Sequence, residues 1–183
     1  MLYRRNYTNG GCYFFTLVTE HRQAILTLPG NIDRLREAFR REQQSNPFTL
    51  DAIIVLPEHI HCIITLPEGD SDYSGRLSRI KRYFSVGCAG VIIPVSSSRQ
   101  SKRERPVWQR RFWEHLIRDD EDWRRHMDSI HYNPVKHGHV ASPWDWQHSS
   151  LRRCVERGWY DRGWGEIMPG NIQELVVGES AGG

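Results

Sequence analysis

The stretch LDAIIVLPEHIHCIITLPEG, residues 50–69, constrains the fold more than any other part of the chain. Ile53, Ile54, Val55 and Leu56 precede Pro57-Glu58, and Ile63 and Ile64 follow His59-Ile60-His61, so two β-rich runs flank a tight connection. That pattern predicts an antiparallel hairpin with strands over 48–56 and 59–66. Side chains at i and i+2 of a strand point the same way, so both imidazoles lie on one sheet face while Ile60 packs on the other. Such a pair is half of a divalent-cation site. Strand pattern alone also allows two sheet histidines satisfied by hydrogen bonds.

Some seventy residues later comes WRRHMDSIHYNPVKHG, residues 123–138. The acidic run from Asp119 to Asp122 is capping-prone, Trp123, Met127 and Ile130 recur at helical spacing, and Asn133-Pro134 is expected to close the helix. Ser129 and Asn133, four residues apart, then share a helix face.

These residues carry a resemblance. YRRNYTNGGCYFFTLVT, VLPEHIHCIITLPEGDSDYSGRLSRIKRYF, WQRRFWEHLIRDDEDWRRHMDSIHYNPVKHG and WDWQHSS occur in that order, and the chain resembles the REP-associated tyrosine transposases over nearly its whole length. These are relatives of the single-tyrosine HUH transposases. The resemblance implies a metal held by His59, His61 and Asn133, and since imidazole tolerates Mg²⁺ and Mn²⁺ while an amide oxygen favours harder ions than zinc, one of these two is the ion expected. Two histidines and an amide make a poor closed zinc site, which disfavours a zinc hydrolase or structural zinc protein. The resemblance further implies a strand transferase in which a tyrosine attacks a DNA phosphate and forms a 5′-phosphotyrosine link. The DNA partner would be a REP stem-loop with a short single-stranded foot.

One position departs from the family. Its members usually read Tyr-Ile-x-x-Asn-Pro, whereas this chain reads Ser129-Ile130-His131-Tyr132-Asn133-Pro134, so Ser129 occupies the nucleophile position. Tyr132 lies one residue from Asn133, roughly 100° around a helix, so it points away from the face that carries residue 129 and is not expected to make the attack. A phenol with pKa about 10 is a far better leaving group than an aliphatic alcohol and reaches a ring farther from the backbone. The chain is therefore expected to bind DNA better than it cuts it. The alternative is a non-catalytic protein that binds REP hairpins.

The net charge of +3 matters less than its distribution. Arg76, Arg79, Lys81 and Arg82 crowd one segment, and Arg99, Lys102, Arg103, Arg105, Arg110 and Arg111 crowd another, which fits a polyphosphate partner. A solvated basic face gives the same composition. The phosphate-binding residues expected are Arg4, Arg5, Arg79, Lys81, Arg82, Arg110, Arg111 and Lys136, and the charge that follows the histidine strand should border the metal. Among the interleaved aromatics, Phe112 and Trp113 cannot both face inward on a strand, so one of them is expected to be exposed.

The remaining elements read as a strand over 12–20, a helix over 31–44 capped by Asn31, a basic helix over 75–86 and a strand over 113–118. The order is that of an α+β, ferredoxin-like βαββαβ sandwich, an antiparallel sheet with helices on one face, and HUH endonucleases share that fold. A catalytic and DNA-binding domain is expected over 1–150, with a C-terminal extension or frayed tail over 151–183 and a mobile loop over 87–106. Cys12, Cys62, Cys88 and Cys154 lack CxxC spacing and read as reduced thiols. No charged-then-apolar leader opens the chain, and no apolar run is long enough to span a bilayer. A cytoplasmic, nucleoid-associated monomer or homodimer without a membrane partner is therefore expected.

Overall fold

The computed structural model describes residues 10–91 and 107–175. Arg4, Arg5, Arg99, Lys102, Arg103, Arg105, most of the 87–106 loop and residues 176–183 lie outside the described residues. Four strands, β1 (Cys12–Val18), β2 (Thr49–Val55), β3 (His59–Thr65) and β4 (Trp113–Leu116), form one antiparallel sheet in the order β2-β3-β1-β4. With helices α1 (Asn31–Ser45) and α2 (Tyr73–Gly87) inserted after β1 and β3, this is the expected ferredoxin-like βαββαβ arrangement.

Alternation divides the sheet into two faces. Phe15, Leu17, Ile60, Cys62 and Ile64 pack with Leu35 and Phe39 of α1 and Leu77, Ile80 and Phe84 of α2. Both helices of the βαββαβ unit therefore cover one face, as read from the sequence. The other face carries Cys12, Phe14, Ala52, Ile54 and Ile63, and it is covered by α3 (Asp120–Lys136) through Trp123, Met127 and Ile130. Six of the seven β3 residues are buried, as a strand covered on both faces requires.

Local chemistry explains the ends of these elements, and it corrects two expectations. Asp119 caps α3 by accepting a hydrogen bond from the Asp122 N–H at 2.8 Å, and three acidic residues in the first turn suit the helix dipole. Pro134 does not close the helix, because in the last turn it forfeits only one N–H bond; α3 runs on to Lys136 and stops at Gly138, whose φ is +72°. Asn31 is not a cap either. It is the buried first residue of α1, donating to the carbonyls of Ile25 and Ala89 and accepting from the Ala89 N–H, so it ties the end of α2 to the start of α1.

The C-terminal region is not a frayed tail over the described residues. The Val55 N–H donates to the His148 carbonyl and the Ser150 N–H to the Ile53 carbonyl, both at 2.9 Å, which covers the β2 edge. A short helix α4 (Leu151–Glu156) then buries Leu151 and Cys154, Trp159 meets Trp123 edge-on at 5.3 Å, and Ile172 is buried. Residues 151–172 thus complete the core beneath α3. No helix among the described residues is long and apolar enough to cross a membrane.

Candidate metal and nucleic-acid site

His59 and His61 occupy the sheet face that α3 covers, and their rings are neighbours, with centroids 4.7 Å apart at 72°. Each Nδ1 meets an oxygen: Glu58 Oε1 lies 3.0 Å from His59 Nδ1, and Thr16 Oγ1 lies 2.8 Å from His61 Nδ1. A histidine that binds metal through Nε2 commonly has its other nitrogen oriented by an oxygen in this way. Burial, reinforced by the positive potential of His59, His137 and Lys136, holds the His61 pKa well below its ordinary value. The ring is neutral at physiological pH, the form that donates a lone pair to a metal. The bond with His59 holds the Glu58 carboxyl below the usual carboxylate range despite partial burial. The donor set therefore fits a divalent ion.

Helix α3 presents Asp122, His126, Ser129, Asn133 and His137 at spacings of three and four, a single stripe. The stripe meets the sheet at both ends of its Ser129–Asn133 stretch, on β1 through His126 and on the histidine strand through His137. The His126 ring tilts onto Phe14 at 4.7 Å and Phe14 stacks on His61 at 5.5 Å, while the His137 ring lies 5.5 Å from His59. Ser129 and Asn133 lie between these ends and are buried. Tyr132 faces elsewhere, edge-on to Trp164 at 6.4 Å. His137, Glu58 and Thr16 are neighbours of the histidine pair that sequence reasoning missed. His137 was visible as the next turn after Asn133; Thr16 was not, since its role depends on strand register.

His115, Asp122 and His126 form a second group, with ligand atoms all within 4.8 Å of one another. Its geometry is that of a hydrogen-bonded network. The two rings stack at 4.6 Å and 19°, and nearly parallel imidazoles cannot both hold one ion in their planes. Asp122 Oδ2 already meets His115 Nε2 at 2.8 Å and the Arg118 N–H at 3.1 Å, and His126 Nδ1 lies 2.8 Å from the Asp122 carbonyl. Burial raises the Asp122 pKa, but the bonds from His115 and Arg118 outweigh it and bring the carboxyl down to about 2. The network fastens β4 to the first turns of α3. Holding an ion there would require the rings to turn.

No family model matches the sequence. The chain is 41% identical over 177 residues to the REP-associated tyrosine transposase of Escherichia coli K12, covering 97% of this chain and 96% of that protein. The chain belongs to the REP-associated tyrosine transposase family. A candidate REP-associated tyrosine transposase of Haemophilus influenzae is 44% identical over 163 residues, 89% of this chain and 92% of that one. A REP-associated tyrosine transposase solved bound to a REP hairpin superposes with a TM-score of 0.72 at 40% identity, covering 92% of this chain and 93% of the other.

In this chain the basic residues divide by sheet face. Helix α2 lies on the face opposite the histidines, so its charge does not gather beside them as expected from sequence order; a chain leaving β3 must cross over one face, and its apolar stripe selects the α1 side. Arg76 is buried against Asp70 and the Asn46 and Pro47 carbonyls. Arg79 is bonded to Glu42 at 2.8 Å and Asp72 at 3.3 Å, and Lys81 donates to the Gln109 carbonyl at 2.8 Å. Arg82, Arg110, Arg111 and Lys136 are exposed. Lys136 belongs to the histidine side, where its charge contributes to the lowered His61 pKa. Phe112 turns inward, edge-on to Phe15 at 5.8 Å, and Trp113 is the exposed ring of that pair.

Proposed function

We propose that this chain binds REP-type hairpin DNA and seats a single-stranded foot between the histidine strand and α3, in a strand-transferase site whose nucleophile position is occupied by Ser129. The observation that carries this reading is the placement of the Ser129 and Asn133 face of α3 between His126 and His137, whose rings lead to His61 and His59. Likeness over nearly the full length to a transposase solved on a REP hairpin supports the choice of DNA.

Each residue then has a role. His59, His61 and Asn133 would hold Mg²⁺ or Mn²⁺, which when bound polarises a phosphate oxygen. Glu58 and Thr16 orient the two imidazoles. Lys136 and Arg82, Arg110 and Arg111 neutralise phosphates. Ser129, buried beneath the helix, offers an alkoxide that leaves poorly and a hydroxyl a ring shorter than tyrosine's, so DNA binding persists while cleavage is lost.

Tyr132 is no substitute, since its ring packs toward Trp164. A non-catalytic hairpin-binding protein is the second reading, and Ser129 itself favours it. Binding of a labelled REP hairpin with and without its foot, together with a nicking assay in Mn²⁺, tests the proposal. Foot-dependent binding without nicking is expected. Metal-dependent nicking that Tyr132→Phe abolishes would transfer the attack to Tyr132, and equal affinity for footed and blunt hairpins would remove the foot from the site.

A further inference from the structure

We infer that Trp113 is the stacking platform for an unpaired base of the foot beside the scissile phosphate, an inference that rests on the proposed reading of the histidine site. Three strands place it there. Trp113 pairs with Thr16 across β4 and β1, and Thr16 pairs with His61 across β1 and β3, so the three side chains form one row on one face. The row spans two strand spacings, about 10 Å, from the Trp113 backbone to that of His61. Its middle member bonds the His61 ring at 2.8 Å.

Helix α3 leaves this corner open. Its first turns meet β4 through His115, whose ring stacks on His126 at 4.6 Å, and the helix then runs by way of Phe14 toward His59. Trp113 lies two residues before His115 and is 51% exposed, while Thr16 and Val18 beside it are half-buried. Trp113 thus stands at the exposed end of a row that leads through Thr16 to the histidine pair. Trp113 is the only aromatic residue among the large exposed apolar side chains of the described residues.

The surrounding charge identifies the occupant as a nucleobase of single-stranded DNA. Arg110 and Arg111 are exposed just before Trp113, and Lys136 flanks the histidines from α3, so a strand crossing this corner meets cations on both sides of an aromatic face. Glu114, the adjacent acid, bonds Tyr73 and belongs to the opposite face. Every base has a π-face, so an indole stacks any of them, and sequence choice must come from hydrogen bonds made elsewhere.

The test measures the affinity of the full chain for a DNA hairpin with a tetranucleotide foot, for the blunt hairpin, and for feet carrying one abasic nucleotide at each position in turn. Trp113→Thr, which keeps a strand-forming residue, is expected to weaken footed-hairpin binding by about 5- to 140-fold, leave the blunt hairpin unaffected, and lose its effect when one particular foot position is abasic. Trp113→Phe should retain most of the affinity. If the unaltered chain prefers footed hairpins and Trp113→Thr keeps that preference undiminished, the stacking assignment is wrong while the proposed function stands. An equal loss for both hairpins also overturns it, since that reports general damage rather than a base contact. No preference for the foot in the unaltered chain sinks the reading beneath it as well.

Discussion

Thr16→Val removes one hydroxyl and almost no volume, and its effect should fall on metal affinity. Thr16 Oγ1 lies 2.8 Å from His61 Nδ1. For Nε2 to donate to a metal, the neutral ring must carry its proton on Nδ1, and that N–H then donates to Thr16. Without the hydroxyl, the metal-bound form keeps a buried N–H with no acceptor, at a cost of about 1–3 kcal/mol, or about 5- to 140-fold in Kd. Mn²⁺ titration by calorimetry or electron paramagnetic resonance on the DNA-free chain measures it, with His61→Ala as the reference for a lost ligand. A Thr16→Val chain that binds Mn²⁺ within about twofold of the parent, while His61→Ala does not bind, would refute the orienting role.

Burial lowers the His131 pKa to about 3 from 6.5, so the unfolded chain takes up a proton as pH falls through 6.5 while the folded chain does not. His131 should therefore subtract up to about 1.4 kcal/mol of stability per pH unit below that value, or about 3 kcal/mol by pH 4.5. Denaturant unfolding of His131→Asn should show a flatter decline, and an unchanged slope would disprove the linkage. Arg79→Ala should cost about 1 kcal/mol of stability, because it strips a half-exposed partner from buried Glu42, and leave the salt dependence of DNA binding unaltered. Arg82→Ala should do the reverse, reducing the slope of log affinity against log salt by about 0.7–0.9 for matched and scrambled hairpins alike. Lost sequence preference at constant slope would place Arg82 in base readout instead.

The histidine pair, its hairpin and the Ser129 helix were legible in the sequence because each is written in local periodicity. Two residues apart on a strand and four apart on a helix fix a shared face whatever the fold does later. What escaped depended on partners far along the chain. Arg79 looks available until α1 supplies Glu42, and the charge of α2 falls on the wrong face because the crossover, not sequence order, decides where a helix docks. Thr16 acquires its role only from the β1–β3 register. The segment after Ser150 reads as a tail by composition, yet Asp128 bonds Asn171 at 2.7 Å, and His131 lies 2.8 Å from Ser150 Oγ and 3.2 Å from Tyr160 Oη. Those polar contacts fasten the C-terminal residues to the very helix that carries Ser129.

The most direct measurement of the central claim is covalent adduct formation by Ser129→Tyr and by the unaltered chain, each incubated with a 5′- or 3′-labelled REP hairpin and Mn²⁺ and resolved by denaturing gel and mass spectrometry. An adduct at residue 129 is expected for Ser129→Tyr only, removed by His61→Ala, with comparable hairpin affinity for both chains. An adduct on Tyr132, or robust cleavage by the chain carrying Ser129, would contradict it.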